Sequence, residues 1–312
     1  MKIGIDILGG DFAPETTVEG SILAYRELPG EVKLVLIGDE NKIRELCARQ
    51  QFDPSVFEIV HTTESIGMGD HPAKCFFQKS NSSISLGFRL LAEKKIQGFA
   101  SAGSTGAMMV GAMQVTKPVR GIIRPVICSN FPNIEGYSIF LDVGLNPDAK
   151  PEVLYQYALL GTLYAQAVYG IEKPTVALLS IGSEEEKGNL VSKAVYTMLK
   201  SSELNFIGNI EGTDLFHKHA ADVIVCDGFT GNIVLKAAEA FYHFTRKLGL
   251  SHEELEKFNY ENIGGTPVLG INDVVIIGHG ASSAKAIKNM IKQTYQVARS
   301  NLIEKINSSF KK

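Results

Sequence analysis

Six short segments of this 312-residue chain place glycine beside small polar side chains or histidine, each directly after an apolar run. They are residues 9–11, 101–106, 142–144, 181–183, 227–232 and 278–280. Glycine lets a ligand come close to the backbone, and the N–H groups at the start of a following helix attract an anion. Because ligands bind beyond the carboxyl ends of parallel strands, we expect these turns to form a rim that binds a phosphate-sized anion. For any single turn, the alternative is that glycine only permits a tight strand-to-helix connection.

Two lysines and two asparagines stand close to these turns in the sequence. Lys187 and Asn189 follow the 181–183 turn, and Asn232 closes the 227–232 turn with Lys236 one helical turn later. Ammonium and amide groups at these places would add positive charge and N–H donors to a phosphate site. The alternative for either lysine is a solvated charge on a helix surface.

Several common catalytic motifs are absent from the sequence. It contains no G-x-x-x-x-G-K-[ST] phosphate loop, and no G-x-G-x-x-G follows the first predicted strand, so neither a P-loop ATPase nor an NAD-dependent dehydrogenase is favoured. Ser104 follows Gly103 directly, which excludes the G-x-S-x-G elbow of α/β-hydrolases. His217 and His219 form a metal-like pair, but no third ligand is near them in the sequence, and the pair is interpreted as a solvated loop. We therefore expect no metal and no cofactor.

Short β-branched runs alternate with segments of helical period along almost the whole chain. The predicted strands are residues 3–7, 32–37, 57–60, 99–102, 138–143, 175–181, 206–210, 223–226 and 274–277, and the predicted helices include 73–93, 151–169, 185–200, 230–248 and 282–306. Continuous apolar runs separated by helices are typical of a mostly parallel sheet covered on both faces. No linker or repeat marks a boundary. We therefore predict one three-layer α/β/α domain over residues 1–312, with a helical excursion off the sheet at about residues 237–263.

Composition and charge exclude several classes of protein. Lysine and arginine number 31 and aspartate and glutamate 34, so the formal charge is −3, which argues against a general nucleic-acid binder. The longest apolar runs, such as 175–181, are far shorter than the ~20 residues that a membrane span needs, and the N-terminus lacks the apolar stretch of a signal peptide. The four cysteines are widely separated and are interpreted as reduced thiols: Cys47, Cys75, Cys128 and Cys226. The sequence therefore predicts a cytoplasmic protein.

Ten short segments together resemble one family, the acyl-ACP:phosphate acyltransferases (the PlsX family). They are residues 8–14, 70–73, 79–83, 101–107, 141–144, 187–189, 209–212, 227–232, 264–267 and 279–280. The segments span nearly the whole chain in the family's order, so the set is specific although each motif alone is weak. The sequence departs from the family at three points: Ser104 stands where asparagine is usual, residues 75–78 lack an expected arginine, and Ala240 replaces a usual glycine.

The resemblance implies an isocitrate/isopropylmalate-dehydrogenase-like fold and a homodimer. The family moves a fatty acyl group from the phosphopantetheine thioester of acyl carrier protein to inorganic phosphate. The resulting acyl phosphate would serve a membrane glycerol-3-phosphate acyltransferase in phospholipid synthesis. The resemblance also implies a peripheral membrane contact through the helical region at about residues 241–263.

This reaction needs few catalytic groups. Phosphate is already an oxyanion at neutral pH, and a thiol with a pKa of ~8.5 leaves as a thiolate with little acid help. What remains is a need for oriented donors and positive charge beside the carbonyl oxygen. We predict that Lys187 stabilises the phosphate and the oxyanion, and that Asn189 and Asn232 act as donors. The residues predicted to bind phosphate are Gly9, Gly10, Asp11, Ser104, Thr105, Gly106, Lys236 and His279, the last as either a donor or a structural group.

Residues 117–124 contain three cations, Lys117, Arg120 and Arg124, and no acid. Such a patch could attract the strongly acidic acyl carrier protein, or it could be an ordinary solvated loop. Two other functions remain open at this point: a phosphotransacetylase-type enzyme that uses a short acyl-CoA, and a non-catalytic scaffold that binds carrier protein.

Overall fold

The computed structural model describes residues 1–217 and 220–311, and the chain divides into two compact units. Unit 1 consists of Met1–Pro118 and Glu261–Ile303, and unit 2 consists of the described parts of Val119–Tyr260 and Glu304–Lys312. Each unit combines strands with helices, as the alternating sequence pattern predicts. The single domain over residues 1–312 stays a prediction.

The described residues form eleven strands and twelve α-helices. In chain order they are β1 (Lys2–Asp6), α1 (Glu15–Glu27), β2 (Lys33–Gly38), α2 (Glu40–Arg49), β3 (Glu58–His61), α3 (Pro72–Gln78), α4 (Ser83–Ala92), β4 (Gly98–Ser101), α5 (Thr105–Gly111), β5 (Val126–Asn133), β6 (Gly136–Leu141), α6 (Pro151–Val168), β7 (Thr175–Leu179), α7 (Leu190–Lys200), β8 (Asn205–Ile210), β9 (Val223–Val225), α8 (Gly228–Lys247), α9 (Glu253–Glu256), α10 (Tyr260–Ile263), β10 (Gly265–Leu269), β11 (Val275–Gly278), α11 (Ala284–Ala298) and α12 (Leu302–Phe310). The predicted helical excursion at 237–263 falls on the end of α8 and on α9 and α10.

Unit 1 contains a six-stranded sheet in the order β3-β2-β1-β4-β11-β10. All neighbouring strands are parallel except β10 and β11, which are antiparallel. Ile3 and Ile5 of β1 are fully buried, so β1 lies in the core. Because β1, β4 and β11 are adjacent and parallel, the 9–11, 101–106 and 278–280 turns leave the sheet at one edge.

Unit 2 contains a five-stranded sheet in the order β5-β6-β9-β7-β8. Strands β6, β9, β7 and β8 are parallel, and β5 pairs with β6 in the antiparallel sense. The 142–144, 227–232 and 181–183 turns follow the adjacent strands β6, β9 and β7. The carboxyl ends of these strands therefore bring the three turns to the same edge of this sheet.

The prediction of a mostly parallel sheet is confirmed, but two strands were missed. Strands β5 and β10 are both antiparallel to a neighbour. Each contains a proline, Pro132 in β5 and Pro267 in β10, and proline lacks the N–H group that a central strand donates. Neither strand contains a long continuous run of apolar residues. The pattern that predicts buried parallel strands therefore did not identify them.

Three predicted helices have different bounds in the structure. The 73–93 helix divides into α3 and α4, because the Ser82 side chain caps α4 by accepting a hydrogen bond from the Ser85 N–H group. The 282–306 helix likewise divides into α11 and α12, with Asn301 at a φ of +54° between them. The 185–200 helix begins only at Leu190, where Asn189 caps α7.

An ion-pair cluster in unit 1 gives a pH-dependent contribution to stability. Glu27 of α1 accepts hydrogen bonds from Lys288 at 2.8 Å and from Lys292 at 2.6 Å, and these bonds lower the pKa of Glu27 to about 2. Because this carboxylate is 42% exposed, we expect Glu27→Gln to lower the free energy of unfolding by less than ~1 kcal/mol at neutral pH.

The lowered pKa sets the pH range in which this contribution disappears. It is present above the unfolded value of 4.5 and is lost as the pH falls through about 2. Urea unfolding across that range should therefore show a smaller loss of stability for Glu27→Gln than for the unchanged protein. Equal losses in the two proteins would contradict the assignment.

None of the helices in residues 1–217 and 220–311 combines the length and the apolar character that spanning a membrane requires.

Candidate functional site

A buried carboxyl group organises the turns of unit 1. Asp6 is 1% exposed and accepts hydrogen bonds from the Leu8 N–H group at 3.0 Å and from the Ser101 hydroxyl at 2.6 Å. The Ser101 oxygen accepts in turn from the Gly103 N–H group at 2.9 Å. Burial raises the pKa of Asp6, and the hydrogen bond from Ser101 opposes that rise. The carboxyl group thus joins the turn after β1 to the turn after β4.

Gly9 and Gly10 occupy positions that other residues would not fit. A Cβ on Gly9 would lie 2.7 Å from the Gly103 nitrogen and 2.8 Å from the Ser101 hydroxyl oxygen. Gly10 has a φ of +119°, a conformation that favours glycine. Both predicted phosphate-binding glycines therefore lie where the backbones of two turns approach closely.

The third turn of unit 1 meets the first through Asp11. The Asp11 N–H group donates to the Gly280 carbonyl oxygen at 2.8 Å. His279 accepts a hydrogen bond at Nδ1 from the Ala281 N–H group at 3.2 Å, so a neutral ring carries its proton on Nε2. The three turns of unit 1 thus come together as predicted, while the roles of Asp11 and His279 in binding phosphate stay predictions.

Ser104, Thr105 and Gly106 form the start of α5. Ser104 is buried, and its side-chain oxygen accepts a hydrogen bond from the Ala107 N–H group at 3.3 Å. Thr105 is exposed, and the N–H groups of the first helical turn have no partner within the helix. The predicted phosphate cradle is therefore the first turn of a short, capped helix.

A second buried carboxyl group organises the turns of unit 2. Asp142 is fully buried and accepts hydrogen bonds from the N–H groups of Gly144, Leu145 and Asn146 at 2.9, 2.9 and 2.7 Å. The Asn146 side-chain amide donates to it as well, at 3.0 Å. Burial raises the pKa of Asp142 despite these bonds. The Asn146 carbonyl oxygen accepts from the Gly228 N–H group at 2.9 Å, which joins this turn to the start of α8.

Lys187 lies in the exposed segment that leads into α7. Its side chain covers Gly182, where an added Cβ would lie 2.7 Å from the Lys187 Cγ atom. The neighbouring Glu185 pairs with Lys200 at 2.6 Å, and no described residue forms an ion pair with Lys187. The Lys187 charge is therefore available to a ligand in this part of the structure.

Asn189 is both the cap of α7 and a predicted donor. Its Oδ1 atom accepts from the Ser192 N–H group at 2.9 Å, so the amide oxygen is engaged and the amide NH₂ group points its donors elsewhere. Gly188 before it has a φ of +105°, which glycine adopts readily. Because α7 begins at Leu190 and not at 185, Lys187 lies in the connecting segment and Asn189 lies at the start of the helix.

Asn232 and Lys236 lie on the exposed part of α8. The side-chain oxygen of Asn232 is 3.2 Å from the place that a Cβ on Gly144 would occupy, so Asn232 lies against the 142–144 turn. Lys236 donates to Glu239 at 2.7 Å, which directs its charge along the helix surface. The predicted roles of Asn232 and Lys236 stay predictions.

A cavity of about 1010 Å³ lies within unit 2, and its lining includes residues of the 181–183 and 227–232 turns. Its wall includes the first residues of three helices, α6, α7 and α8, whose dipoles favour negative charge at that end. Asn189 and Arg124 line it, together with a larger number of apolar side chains. Lys187 and Asn232 are not part of this lining, although each is close in sequence to residues that are.

The thiols near these turns are unsuited to act as nucleophiles. Cys128 and Cys226 are buried, and burial raises the pKa of both thiols, with the nearby Asp227 and Asp142 carboxylates adding to the rise at Cys226. A thiol with a raised pKa is protonated at neutral pH and reacts slowly. Neither Cys128 nor Cys226 is therefore suited to accept an acyl group at this site.

The described part of the chain holds no cluster of three histidine, cysteine, aspartate or glutamate side chains that could bind a metal ion. Of the histidine pair singled out in the sequence, His219 lies outside the described residues, and His217 is exposed.

The three cations of the predicted carrier-docking patch are exposed. Lys117 belongs to unit 1, whereas Arg120 and Arg124 belong to unit 2. Arg124 also lines the unit 2 cavity, and no motif in the sequence predicts that position.

Comparison with known proteins decides the family. The model of the fatty acid synthesis protein family matches residues 1–256 and 251–305. The chain belongs to this family. The predicted membership is thereby confirmed, and the match covers both units.

Relatives in the fatty acid synthesis protein family carry a common name. A phosphate acyltransferase of Desulfitobacterium hafniense is 40% identical over 325 residues, which cover 98% of this chain and 96% of that protein. A phosphate acyltransferase of Clostridioides difficile is 40% identical over 332 residues, which cover 100% of this chain and 97% of that protein. Both are enzymes by name, and the similarity extends over the full chain, so this family member is an enzyme as predicted.

Solved structures of low identity share the fold. The EutD phosphotransacetylase from Staphylococcus aureus superposes with a TM-score of 0.64 at 20% identity, covering 96% of this chain and 94% of that one. A phosphotransacetylase from Streptococcus pyogenes gives a TM-score of 0.67 at 20% identity over the same shares. The family member therefore has a mixed α/β fold of the kind found in phosphotransacetylases.

Several residues that shape the site were not among the predicted site residues. Asp6 and Asp142 were not proposed as organising groups, although each ends or follows an apolar strand, where a carboxylate is unusual. The unit 2 cavity is also lined by Phe229 and by Lys150, which directly precedes Pro151. Pro151 is a usable signal for the start of a helix. Nothing in the sequence indicates that Lys150 and Phe229 line the same cavity.

Proposed function

We propose that this protein transfers a fatty acyl group from acyl carrier protein to inorganic phosphate. Support comes chiefly from relatives named phosphate acyltransferase, which are 40% identical over 98% or more of the chain. The buried thiols Cys128 and Cys226, whose pKa values are raised by burial, are unsuited to take the place of phosphate as the nucleophile.

In the proposed reaction a phosphate oxygen attacks the thioester carbonyl carbon. The tetrahedral intermediate then collapses as the carbon–sulfur bond breaks, so that acyl phosphate and the carrier thiolate are released. The proton of the attacking hydrogen phosphate passes through solvent to the thiolate, which becomes the neutral thiol. Lys187 supplies positive charge to the oxyanion, and the amide groups of Asn189 and Asn232 donate hydrogen bonds to it. Donors that are held in place before the reaction lower the barrier because they need no reorganisation.

Phosphate binding is assigned to backbone and side-chain groups of the glycine turns. In unit 1 these are Gly9, Gly10, Asp11, Ser104, Thr105, Gly106 and His279, and in unit 2 Lys236. The close packing of Gly9 and Gly10 against neighbouring turns, and the start of α5 at Ser104, support an anion-binding role.

The acyl carrier is assigned to the cations at residues 117–124. We expect Arg120→Glu to raise KM for the acyl carrier about tenfold at low salt with little change in kcat, because a charge at a docking rim acts mainly on association. Steady-state kinetics at increasing salt measure the effect, which should shrink as salt screens the charge. The matched control is Lys33→Glu, at another exposed cation on β2. An unchanged KM in Arg120→Glu would remove this patch from the docking site.

Several finer properties belong to the same proposal. The protein would be a cytoplasmic homodimer with a three-layer, isocitrate/isopropylmalate-dehydrogenase-like arrangement, and would supply a membrane glycerol-3-phosphate acyltransferase. A peripheral membrane contact is supported by four exposed apolar side chains on and after α8: Phe241, Phe244, Leu248 and Leu250.

One assay separates this function from its rivals. Free thiol should appear only when the protein, acyl carrier protein carrying a fatty acid, and phosphate are mixed. A phosphotransacetylase-type reaction, which the shared fold favours, would instead turn over a short acyl-CoA faster than the acylated carrier. A binding scaffold would retain the carrier and release no thiol.

A further inference from the structure

The unit 2 cavity has the size and the walls of a site for an apolar ligand. At about 1010 Å³ it lies at the upper end of the range of roughly 300–1,000 Å³ in which small-molecule sites occur. Its wall includes the buried side chains Val153, Leu154 and Leu178. A wall of this kind gives a flexible hydrocarbon many contacts, and the polar side chains of the lining are outnumbered by apolar ones.

Three large apolar side chains at this cavity are exposed. Ile123 is 54% exposed, Ile181 is 81% exposed and Phe229 is 62% exposed, and each comes from a different connecting segment. Single exposed apolar residues are common on protein surfaces, but three that line one cavity form a patch of the kind that marks a binding site.

Asn189 lines the same cavity and connects it to the proposed reaction. We propose that the cavity binds the long hydrocarbon chain of the acyl donor, with Ile123, Ile181 and Phe229 covering the chain. This inference rests on the proposed function, since it takes the thioester to lie beside Asn189. Arg124 and Lys150 occur in the same lining together with Asp148 and Asp227, so the polar part of the wall carries both signs of charge.

The apolar wall of the cavity favours a long acyl chain as its ligand. Each methylene group removed from water improves binding by roughly fourfold, so a long unbranched chain gains far more from this cavity than a short one. The protein should accordingly prefer long acyl chains, and the preference should depend on the three exposed side chains.

The first test is kinetic. Phe229→Ala and Ile181→Ala are expected to lower kcat/KM for the hexadecanoyl carrier about tenfold each and to leave the hexanoyl carrier within about twofold, because only the long chain reaches these side chains. Both residues are exposed, so the substitutions should not disturb folding. The matched control is Ile134→Ala, at an apolar side chain that is 61% exposed and outside the cavity, for which neither rate should change. Equal losses for the two chain lengths, or no loss, would overturn the proposal.

The second test does not depend on turnover. The chain contains no tryptophan, so Phe229→Trp provides a single fluorescent reporter at the cavity. Adding the hexadecanoyl carrier without phosphate should shift its emission to shorter wavelength, whereas the unacylated carrier should not, and Ile134→Trp should respond to neither. Identical spectra with acylated and unacylated carrier would refute the acyl site. A shift without any phosphate-dependent thiol release would instead refute the proposed reaction and retain the acyl site.

Discussion

Replacing Lys187 by alanine is expected to lower kcat for phosphate-dependent thiol release by about 100-fold or more. The expectation follows because removing one preorganised group that stabilises an oxyanion costs roughly 10²–10³ in kcat. Lys187 is exposed and forms no ion pair with a described residue, so its loss should change the free energy of unfolding by no more than about 0.5 kcal/mol. Steady-state kinetics with saturating acyl carrier and phosphate measure the change.

Two variants show whether this effect belongs to Lys187 itself. Lys187→Arg keeps the charge with a different geometry and should retain part of the activity. Lys193→Ala removes another exposed lysine, on the first turn of α7, and should leave kcat near the native value. If Lys187→Ala kept the full rate, Lys187 would have no part in the chemistry.

Replacing Asp142 by alanine is expected to lower the free energy of unfolding by about 3 kcal/mol or more. The carboxyl group is fully buried and accepts the N–H groups of Gly144, Leu145 and Asn146. Each buried donor left without a partner costs about 1–3 kcal/mol, and the turn that approaches α8 would lose its shape. Chemical denaturation at neutral pH measures the loss.

The surroundings of Asp142 supply a matched control. Asp148 lies a few residues further along the same connection but is exposed, so Asp148→Ala should change stability by no more than about 0.5 kcal/mol. Asp142→Asn should be nearly as destabilising as the alanine variant, because an amide NH₂ group would face the donors of this turn. A small loss for Asp142→Ala would show that the 144–146 turn does not depend on the carboxyl group.

The buried parallel strands could be predicted from the sequence because their physics is local. The predicted strands at 32–37 and 175–181 became β2 and β7 with small changes at the ends, since continuous apolar runs leave few other buried states. The turns after them could be predicted for the same reason. The carboxyl ends of adjacent parallel strands in each unit bring those turns together.

Features that depend on pairing between distant residues could not be predicted in this way. Strand β10 pairs with β11 across a turn and contains Gly265 and Pro267, which locally disfavour a strand. Ser101 binds Asp6 across 95 positions of the chain, and no local pattern records that contact. The apolar cavity could not be predicted for the same reason, because Ile123, Ile181 and Phe229 are far apart in sequence.

In the proposed reaction the acyl group passes to inorganic phosphate and not to water. Its most direct test follows the phosphorus atom by ³¹P NMR while the acylated carrier is consumed. We predict a new acyl phosphate signal that grows in equal amount with the free carrier thiol and requires the protein. Release of thiol together with free fatty acid, while the phosphate signal stays unchanged, would contradict the account.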